Sequence, residues 1–177
     1  MFAFLRGTVA RKTADHIELD VNGVGYELSV PDGVARKLAV NQDATLLTHC
    51  HIREDAFQIF GFLREEERGV FRTLLGITGI GPKMALAILS AMSVAEFRRA
   101  VLESDVNAFT KVSGVGKKTA QRVVLEMKSR MGEDAELSAI LGEQFENGQP
   151  ETDDVIGALC SLGCTLGEAR KAASTAR

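Results

Sequence analysis

The chain has 177 residues, a length typical of one or two domains, and 45% of them are hydrophobic, which is typical of a globular protein. No apolar run is long enough for a membrane-spanning helix, and Arg6 follows the N-terminus too closely for a signal peptide. The 3 cysteines lack the spacing of a disulfide framework or a metal site. We therefore predict a cytoplasmic protein with no membrane partner.

The net charge of −3 is unevenly distributed along the chain. Residues 1–63 carry a net charge of −2, residues 64–131 carry +5, and residues 132–177 carry −6. Because positive charge is concentrated in the middle segment, we expect an anionic partner such as nucleic acid to bind there.

Residues 1–63 have the pattern of a small β-domain. Apolar and polar residues alternate in 16–21 and in 57–62, and Asn22-Gly23 is typical of a tight hairpin turn. The five predicted strands are 2–10, 16–21, 25–30, 44–51 and 56–62, with a short helix at 31–38. A helix inserted after the third of five strands is the order of an OB-type barrel, although a five-stranded barrel of another topology also fits.

Residues 64–131 are predicted to be entirely helical, with helices at 65–75, 82–91, 94–102, 106–110 and 117–131. Ser93 and Glu96 have the spacing of a capping box at the start of the third of these helices. A short stretch within the segment occurs twice, 35 residues apart. Four residues recur in register: Gly79, Gly81, Lys83 and Ala85 match Gly114, Gly116, Lys118 and Ala120. Such an internal repeat indicates two copies of one structural unit.

Each repeat places its glycines between two predicted helices. Glycine allows a positive φ and a close backbone approach, and the start of the second helix has backbone N–H groups without internal partners. Those groups and the helix dipole favour a phosphate, and Lys83 and Lys118 add positive charge. This pattern predicts two helix-hairpin-helix motifs, which hold a nucleic-acid backbone without reading bases. An ordinary helical corner with glycines is the alternative.

The C-terminal part of the chain divides into two further segments. Residues 132–151 are acidic and rich in turn-forming residues, which predicts a flexible linker. Residues 152–177 predict two short helices, at 153–162 and 166–176. The predicted fold class is therefore α+β, with a barrel at 1–63, a helical domain at 64–131, the linker, and a small helical segment.

The ordered combination of these parts resembles the RuvA family, the Holliday-junction-binding components of bacterial branch-migration complexes. The resemblance covers nearly the whole chain and is carried by residues 20–27, 53–56, 60–62, 79–83 and 114–120. It implies a homotetramer, or an octamer when two tetramers enclose the DNA. It also implies recruitment of the hexameric ATPase motor RuvB and of the junction resolvase RuvC. The family's tail domain has three helices, whereas the sequence predicts two.

The resemblance assigns roles to three groups of residues. The DNA-binding group is Thr78, Gly79, Gly81, Lys83, Ser113, Gly114, Gly116, Lys117, Lys118 and Arg122. Within it, we expect the hydroxyls of Thr78 and Ser113 to cap helices rather than bind phosphate. Glu54 and Asp55 would form an acidic pin where four DNA strands meet. Leu159, Leu162, Leu166 and Ala169 would contact the motor.

The sequence contains no recognisable catalytic or cofactor-binding constellation. Residues 114–119 differ from a phosphate-binding P-loop, since Lys111 stands at the first glycine position and Lys118 at the Ser/Thr position. Three consecutive glutamates at 65–67 cannot converge on one metal ion from a helix. We therefore predict a non-enzymatic DNA-binding subunit without metal or cofactor. A general duplex-binding architectural protein and a DNA-binding accessory of a nuclease are the alternatives.

Overall fold

The computed structural model describes residues 2–54 and 56–133. Residues 134–151 of the predicted linker, both predicted tail helices and the predicted motor contacts Leu159, Leu162, Leu166 and Ala169 lie outside these residues. Within the described part, five strands are followed by helices, with one short helix among the strands. The described residues belong to one compact unit of the chain. The domain boundaries given above remain predictions.

The strands form a closed barrel. Their bounds are β1 Phe4–Lys12, β2 His16–Val21, β3 Val24–Ser29, β4 Asp43–Ile52 and β5 Phe57–Phe62, and helix α1, Asp32–Lys37, lies between β3 and β4. The strand order is β1-β2-β3-β5-β4, and β3 pairs with β5 in parallel while the other pairs are antiparallel. This topology confirms the predicted five-stranded OB-type barrel, with its helix after the third strand.

The first strand differs from its predicted bounds. It begins at Phe4 and continues to Lys12, two residues beyond the predicted end. Pairing with β2 continues through the polar end of the strand, where Arg11 lies opposite Glu18 and Lys12 opposite Ile17. An irregularity in register between Val9 and Arg11 interrupts the alternation of apolar residues. Because Arg11 and Lys12 are polar, the sequence did not indicate that they belong to the strand, although both pair with β2.

The helical region follows the predicted pattern closely. The helices are α2 Glu65–Leu75, α3 Pro82–Ala91, α4 Val94–Leu102, α5 Val106–Thr110 and α6 Lys117–Glu133. The first four have the predicted bounds, and α6 continues two residues beyond the predicted end at 131. The capping box of α4 is confirmed, because the Glu96 N–H donates to Ser93 Oγ at 3.2 Å and the Ser93 N–H donates to Glu96 Oε2 at 2.8 Å. The hydrogen bonds that the Ser93 N–H and the Ser93 hydroxyl donate to the Glu96 carboxylate lower the pKa of Glu96.

Helix α2 connects the helical region to the barrel. The ring of Phe71 lies between the two regions, with centroids 4.9 Å from Phe60 and 5.0 Å from Phe62 on β5. His49 on β4 contacts the same ring at 5.5 Å. The Arg68 guanidinium donates to the Ala3 carbonyl at 2.9 Å. The helices are thus attached to one side of the barrel by buried aromatic packing as well as by a charged hydrogen bond.

Candidate nucleic-acid interface

The two glycine repeats form turns with the same backbone geometry. In the first, the Ile80 N–H donates to the Ile77 carbonyl at 3.0 Å, and in the second the Val115 N–H donates to the Val112 carbonyl at 3.0 Å. The third residue of each turn is a glycine with positive φ, +90° at Gly79 and +84° at Gly114. A type II turn requires that conformation, which side chains disfavour. The repeat in the sequence is therefore a repeat in structure.

Apolar residues fix each turn to the helical core. Ile77 and Ile80 are buried at the two ends of the first turn, and Val112 and Val115 are buried at the same places in the second. The residues between them are exposed to solvent. Each turn is therefore held in place at both ends and presents its middle outward. We call the segments 76–81 and 111–116 the first and second corner.

The fold does not require glycine at the last glycine position of each corner, Gly81 and Gly116. The φ of Gly81 is −96°, which any residue can adopt. A Cβ added at Gly81 or Gly116 would meet no heavy atom of the described residues within 4 Å. Since neither backbone conformation nor packing calls for glycine at Gly81, the missing side chain leaves open space beside the helix start. Such space permits the close approach of another molecule's backbone.

The helix behind each corner begins with amide groups that have no partner inside the helix. The first bond of α3 joins the Ala85 N–H to the Gly81 carbonyl at 3.0 Å, and the Ala120 N–H bonds to the Gly116 carbonyl at 2.9 Å in α6. The amides that precede these donors have no partner inside the helix. Gly81 is the N-cap residue of α3 and supplies no side-chain cap. Both helix starts are consequently able to bind an anion.

The predicted helix capping by Thr78 is wrong. The N-cap of α3 is Gly81, three residues further along, because Thr78 lies within the exposed part of the turn. Ser113 occupies the matching position of the second corner, and α6 begins at Lys117, four residues later. Neither hydroxyl makes a hydrogen bond within the described part of the chain. Both are free to contact a ligand bound at the corner.

Three lysines surround the helix starts with positive charge. Lys83 lies in the first turn of α3, and Lys117 and Lys118 lie in the first turn of α6, all exposed to solvent. Neither helix has an acidic residue in its first turn. The lysine charges therefore add to the positive ends of the helix dipoles without local compensation.

Arg122 joins the two corners. Its Nη1 donates to the Thr78 carbonyl at 2.8 Å, although the two residues are 44 positions apart. The same Nη1 would lie 3.8 Å from a Cβ at Gly79. The resemblance predicted Arg122 as a DNA contact on the helix of the second hairpin, whereas the structure bonds its guanidinium to the first corner. No periodicity in the sequence could indicate this contact, because it depends on how α6 packs beside the first hairpin.

Arg130 is a residue at the corners that the sequence analysis did not identify. Its guanidinium donates to the Thr73 carbonyl at 3.2 Å and to the Gly76 carbonyl at 2.9 Å, at the end of α2. The predicted pattern gave no signal for it, since arginines near helix ends are common and usually solvated.

The segment 53–56, which contains the residues of the predicted pin, joins β4 to β5. The Arg53 N–H donates to the Ala56 carbonyl at 2.8 Å, and the Ala56 N–H donates back to the Arg53 carbonyl at 3.4 Å. Glu54 is exposed at the tip, and Asp55 lies outside the described residues. Arg53 Nε donates to His51 Nε2 at 2.9 Å. The turn thus projects at least one carboxylate into solvent, and its role as a pin remains a prediction.

His49 on β4 lies where α2 meets the barrel. Burial beside Phe71 lowers the pKa of His49, and the nearby charges of Arg72, His51 and Arg68 lower it further. The imidazole of His49 is therefore neutral at neutral pH.

In the described part of the chain, no group of three or more His, Cys, Asp or Glu side chains is arranged to hold a metal ion. None of the described helices is long and apolar enough to span a membrane.

A closed five-stranded barrel joined to tandem helix-hairpin-helix motifs defines a class of nucleic-acid-backbone-binding proteins. Residues 1–61 match the family model described as the RuvA N terminal domain, and residues 71–129 match the SAM-like helix-hairpin-helix tandem. Three similar proteins each carry the name Holliday junction branch migration complex subunit RuvA. That of Pseudomonas fluorescens (strain Pf0-1) is 43% identical, over 98% of this chain and 90% of its own length.

The other two relatives agree with the first. The protein of Shewanella frigidimarina (strain NCIMB 400) is 42% identical, over 99% of this chain and 91% of its own length. That of Desulforamulus reducens (strain ATCC BAA-1160 / DSM 100696 / MI-1) is 38% identical, over 100% of this chain and 88% of its own length. The chain therefore belongs to the RuvA family.

Proposed function

We propose that this chain is a non-enzymatic subunit that binds four-way DNA junctions by their structure. It supports ATP-driven branch migration by a partner motor, in homologous recombination and DNA repair. The observation that carries the proposal is the pair of matched corners, each with open space at its last glycine and helix-start amides behind it that have no intrahelical partner. The names of the relatives support the same function.

Binding begins with phosphate capture at the two corners. A phosphate at each corner accepts hydrogen bonds from the amides of the helix start and is close to a lysine, Lys83 in the first and Lys118 in the second. Lys117 adds charge at the second corner, and the remaining N–H groups of Arg122 are available between the two. Because all these groups contact the sugar-phosphate backbone, binding is independent of base sequence.

Preference for junctions comes from the arrangement of several subunits. In a homotetramer, four copies of Glu54 and Asp55 gather at the centre, where the four strands of a junction separate. The carboxylates repel phosphates there, while the corners hold phosphates further out. An uninterrupted duplex would have to bring its phosphates across the acidic centre, so it binds less well than a junction.

The proposed partners follow the family. One tetramer binds the DNA, or two tetramers bind it together as an octamer. The hexameric ATPase RuvB is the proposed motor. Leu159, Leu162, Leu166 and Ala169 are the proposed motor contacts, and the resolvase RuvC is a further partner. Such a complex works in the bacterial cytoplasm, where the chromosome lies.

The salt dependence of binding tests phosphate capture. Each phosphate neutralised by the protein releases bound counterions, so the logarithm of the association constant should fall with the logarithm of salt concentration by about 0.9 per phosphate. We expect a steep slope for a synthetic junction, measured by fluorescence anisotropy between low and physiological salt. A slope near zero would contradict backbone capture.

The open glycine at the start of α3 provides a sharper test. In the variant Gly81→Ser, the new hydroxyl caps the free amides of α3 and should raise the free energy of unfolding by roughly a few tenths of a kcal/mol. The same hydroxyl occupies the proposed phosphate site, so junction affinity should fall by about tenfold, as expected for loss of one charged hydrogen bond. Thermal unfolding and anisotropy measure the two effects.

The matched control is Gly25→Ser on β3. Gly25 is exposed, and a Cβ there also has no described heavy atom within 4 Å, but it is far along the chain from either corner. We expect this variant to keep the junction affinity of the unmodified chain. Equal affinities for the Gly81 and Gly25 variants would show that the open space at the first corner is not used by DNA.

A further inference from the structure

The first corner is held from behind by the helix that follows the second corner. Near the end of α6, Arg130 Nη1 donates to the Thr73 carbonyl at 3.2 Å and Nη2 donates to the Gly76 carbonyl at 2.9 Å. These carbonyls lie at the end of α2, where a positive charge suits the helix dipole. The Thr73 carbonyl also accepts the Gly76 N–H at 3.1 Å, so Arg130 adds a second donor to it. Glu126, one turn earlier on α6, holds the guanidinium with an Nη2–Oε2 distance of 3.4 Å. We call this set of contacts the Arg130 brace.

Gly76 makes the space that the brace needs. Its φ of −75° is an ordinary helical value, so the backbone does not require glycine. A Cβ there would lie 2.6 Å from Arg130 Nη1 and 3.2 Å from Nη2, so any larger residue must push the guanidinium away. The absent side chain at Gly76 is thus explained by Arg130, in contrast with the open space at Gly81.

The second corner lacks an equivalent brace. In the repeat, Thr73 corresponds to Ala108 and Gly76 corresponds to Lys111. Among the described residues, no side chain donates a hydrogen bond to the carbonyls of these two counterparts. Two corners with the same turn geometry are therefore supported differently, which allows one to serve as an internal control for the other.

The same helix also contacts the front of the first corner. Arg122 donates to the Thr78 carbonyl at 2.8 Å, so α6 binds the chain on both sides of the buried Ile77. Contacts before and after the turn fix its position as well as its orientation relative to α6. Since α6 begins at the second corner, these contacts also fix the spacing between the two phosphate sites.

We propose that Arg130 is a positioning residue, which holds the first corner at the distance from the second that lets both grip one DNA backbone. It does so through the carbonyls of Thr73 and Gly76 and contacts no phosphate itself. The consequence for DNA depends on the proposed function, whereas the brace is a property of the protein alone. Two measurements therefore separate them.

The first measurement is amide hydrogen exchange of the full chain without DNA. The readouts are the matched turn amides of Ile80 and Val115, each bonded across its corner at 3.0 Å. Arg130→Met keeps the apolar stem and removes the donors. Gly76→Ala suits the φ of −75° and displaces the guanidinium, although its Cβ would also lie 3.3 Å from the Thr73 carbonyl oxygen. In either variant, exchange at Ile80 should rise by about tenfold, the effect of one charged hydrogen bond, while Val115 stays unchanged.

The effects of Arg130→Met and Gly76→Ala on exchange at Ile80 should not be additive. If both act by breaking the same contacts, the double variant exchanges at Ile80 no faster than Arg130→Met alone. Lys111→Ala, the matching change at the second corner, should leave both amides unaffected. Unchanged exchange at Ile80 overturns the brace, and so does equal acceleration of Ile80 and Val115, which would indicate general loosening of the fold.

The second measurement is junction binding across a range of salt concentrations. Arg130→Met should weaken junction binding several-fold, because the first corner is no longer held in its binding position. The slope of affinity against salt concentration should be unchanged. A slope reduced by about 0.9 would make Arg130 a phosphate contact and overturn its positioning role. If the unmodified chain fails to bind a junction, the proposed function fails, while the exchange data still decide whether the brace exists.

Discussion

Replacing Lys118 with glutamate is expected to weaken junction binding by about 10- to 100-fold, because a charged hydrogen bond to phosphate is lost and a repulsion is introduced. Lys118 is exposed in the first turn of α6, so the fold should be unaffected. Its neighbours there are the open Gly116 and the unpaired amides at the start of the helix. A competition gel shift with a synthetic junction measures the change.

Two further variants separate the loss of a contact from a general change in charge. Lys118→Gln removes the positive charge without adding a negative one, and should have a smaller effect together with a shallower salt slope. Lys37→Glu reverses an exposed lysine in the last turn of α1, in the barrel, and should leave affinity nearly unchanged. If Lys118→Glu binds junctions as well as Lys37→Glu does, the second corner is not a DNA contact.

Reversing the charge of the 53–56 turn is expected to change which DNA is preferred. Glu54→Lys, alone and combined with Asp55→Lys, removes the repulsion at the proposed centre and replaces it with attraction. Affinity for linear duplex should rise, and the ratio of junction to duplex affinity should fall by about tenfold or more, since like-charge juxtaposition costs several kcal/mol. Titrations of both DNA forms under one salt condition give this ratio.

The control for that experiment is Glu103→Lys. Glu103 is exposed at the end of α4. The substitution Glu103→Lys changes the net charge of the chain by the same amount as Glu54→Lys does. The added lysine raises affinity for all DNA to a similar extent, so the ratio should stay constant. If Glu54→Lys and Glu103→Lys give the same ratio, the turn has no part in selecting junctions.

The corners could be predicted from the sequence because their requirements are local. A type II turn needs glycine at its third residue, and the buried residues on either side occur at fixed spacing, so Gly79 and Gly114 identify both turns. The bounds of α3 and α4 were equally predictable, since Pro82 and the Ser93–Glu96 box mark helix starts.

Features that depend on distant parts of the chain could not be predicted. The bond from Arg122 to Thr78 and the Arg130 brace join residues 44 to 57 positions apart, which no local pattern records. Thr78 was expected to cap a helix because threonine often does, but the turn geometry gives that position to Gly81. The strand predicted at 2–10 ended too early, because pairing with β2 continues through the polar residues Arg11 and Lys12.

A single competition measurement tests the central claim most directly. A labelled four-way junction is bound by the full chain and challenged with unlabelled linear duplex of equal total length, then with unlabelled junction. The two glycine corners and the acidic turn together predict that unlabelled junction displaces the label at far lower concentration than duplex does. Displacement by both at the same concentration would contradict the account, because it would leave a general duplex-binding protein in which the acidic turn selects nothing.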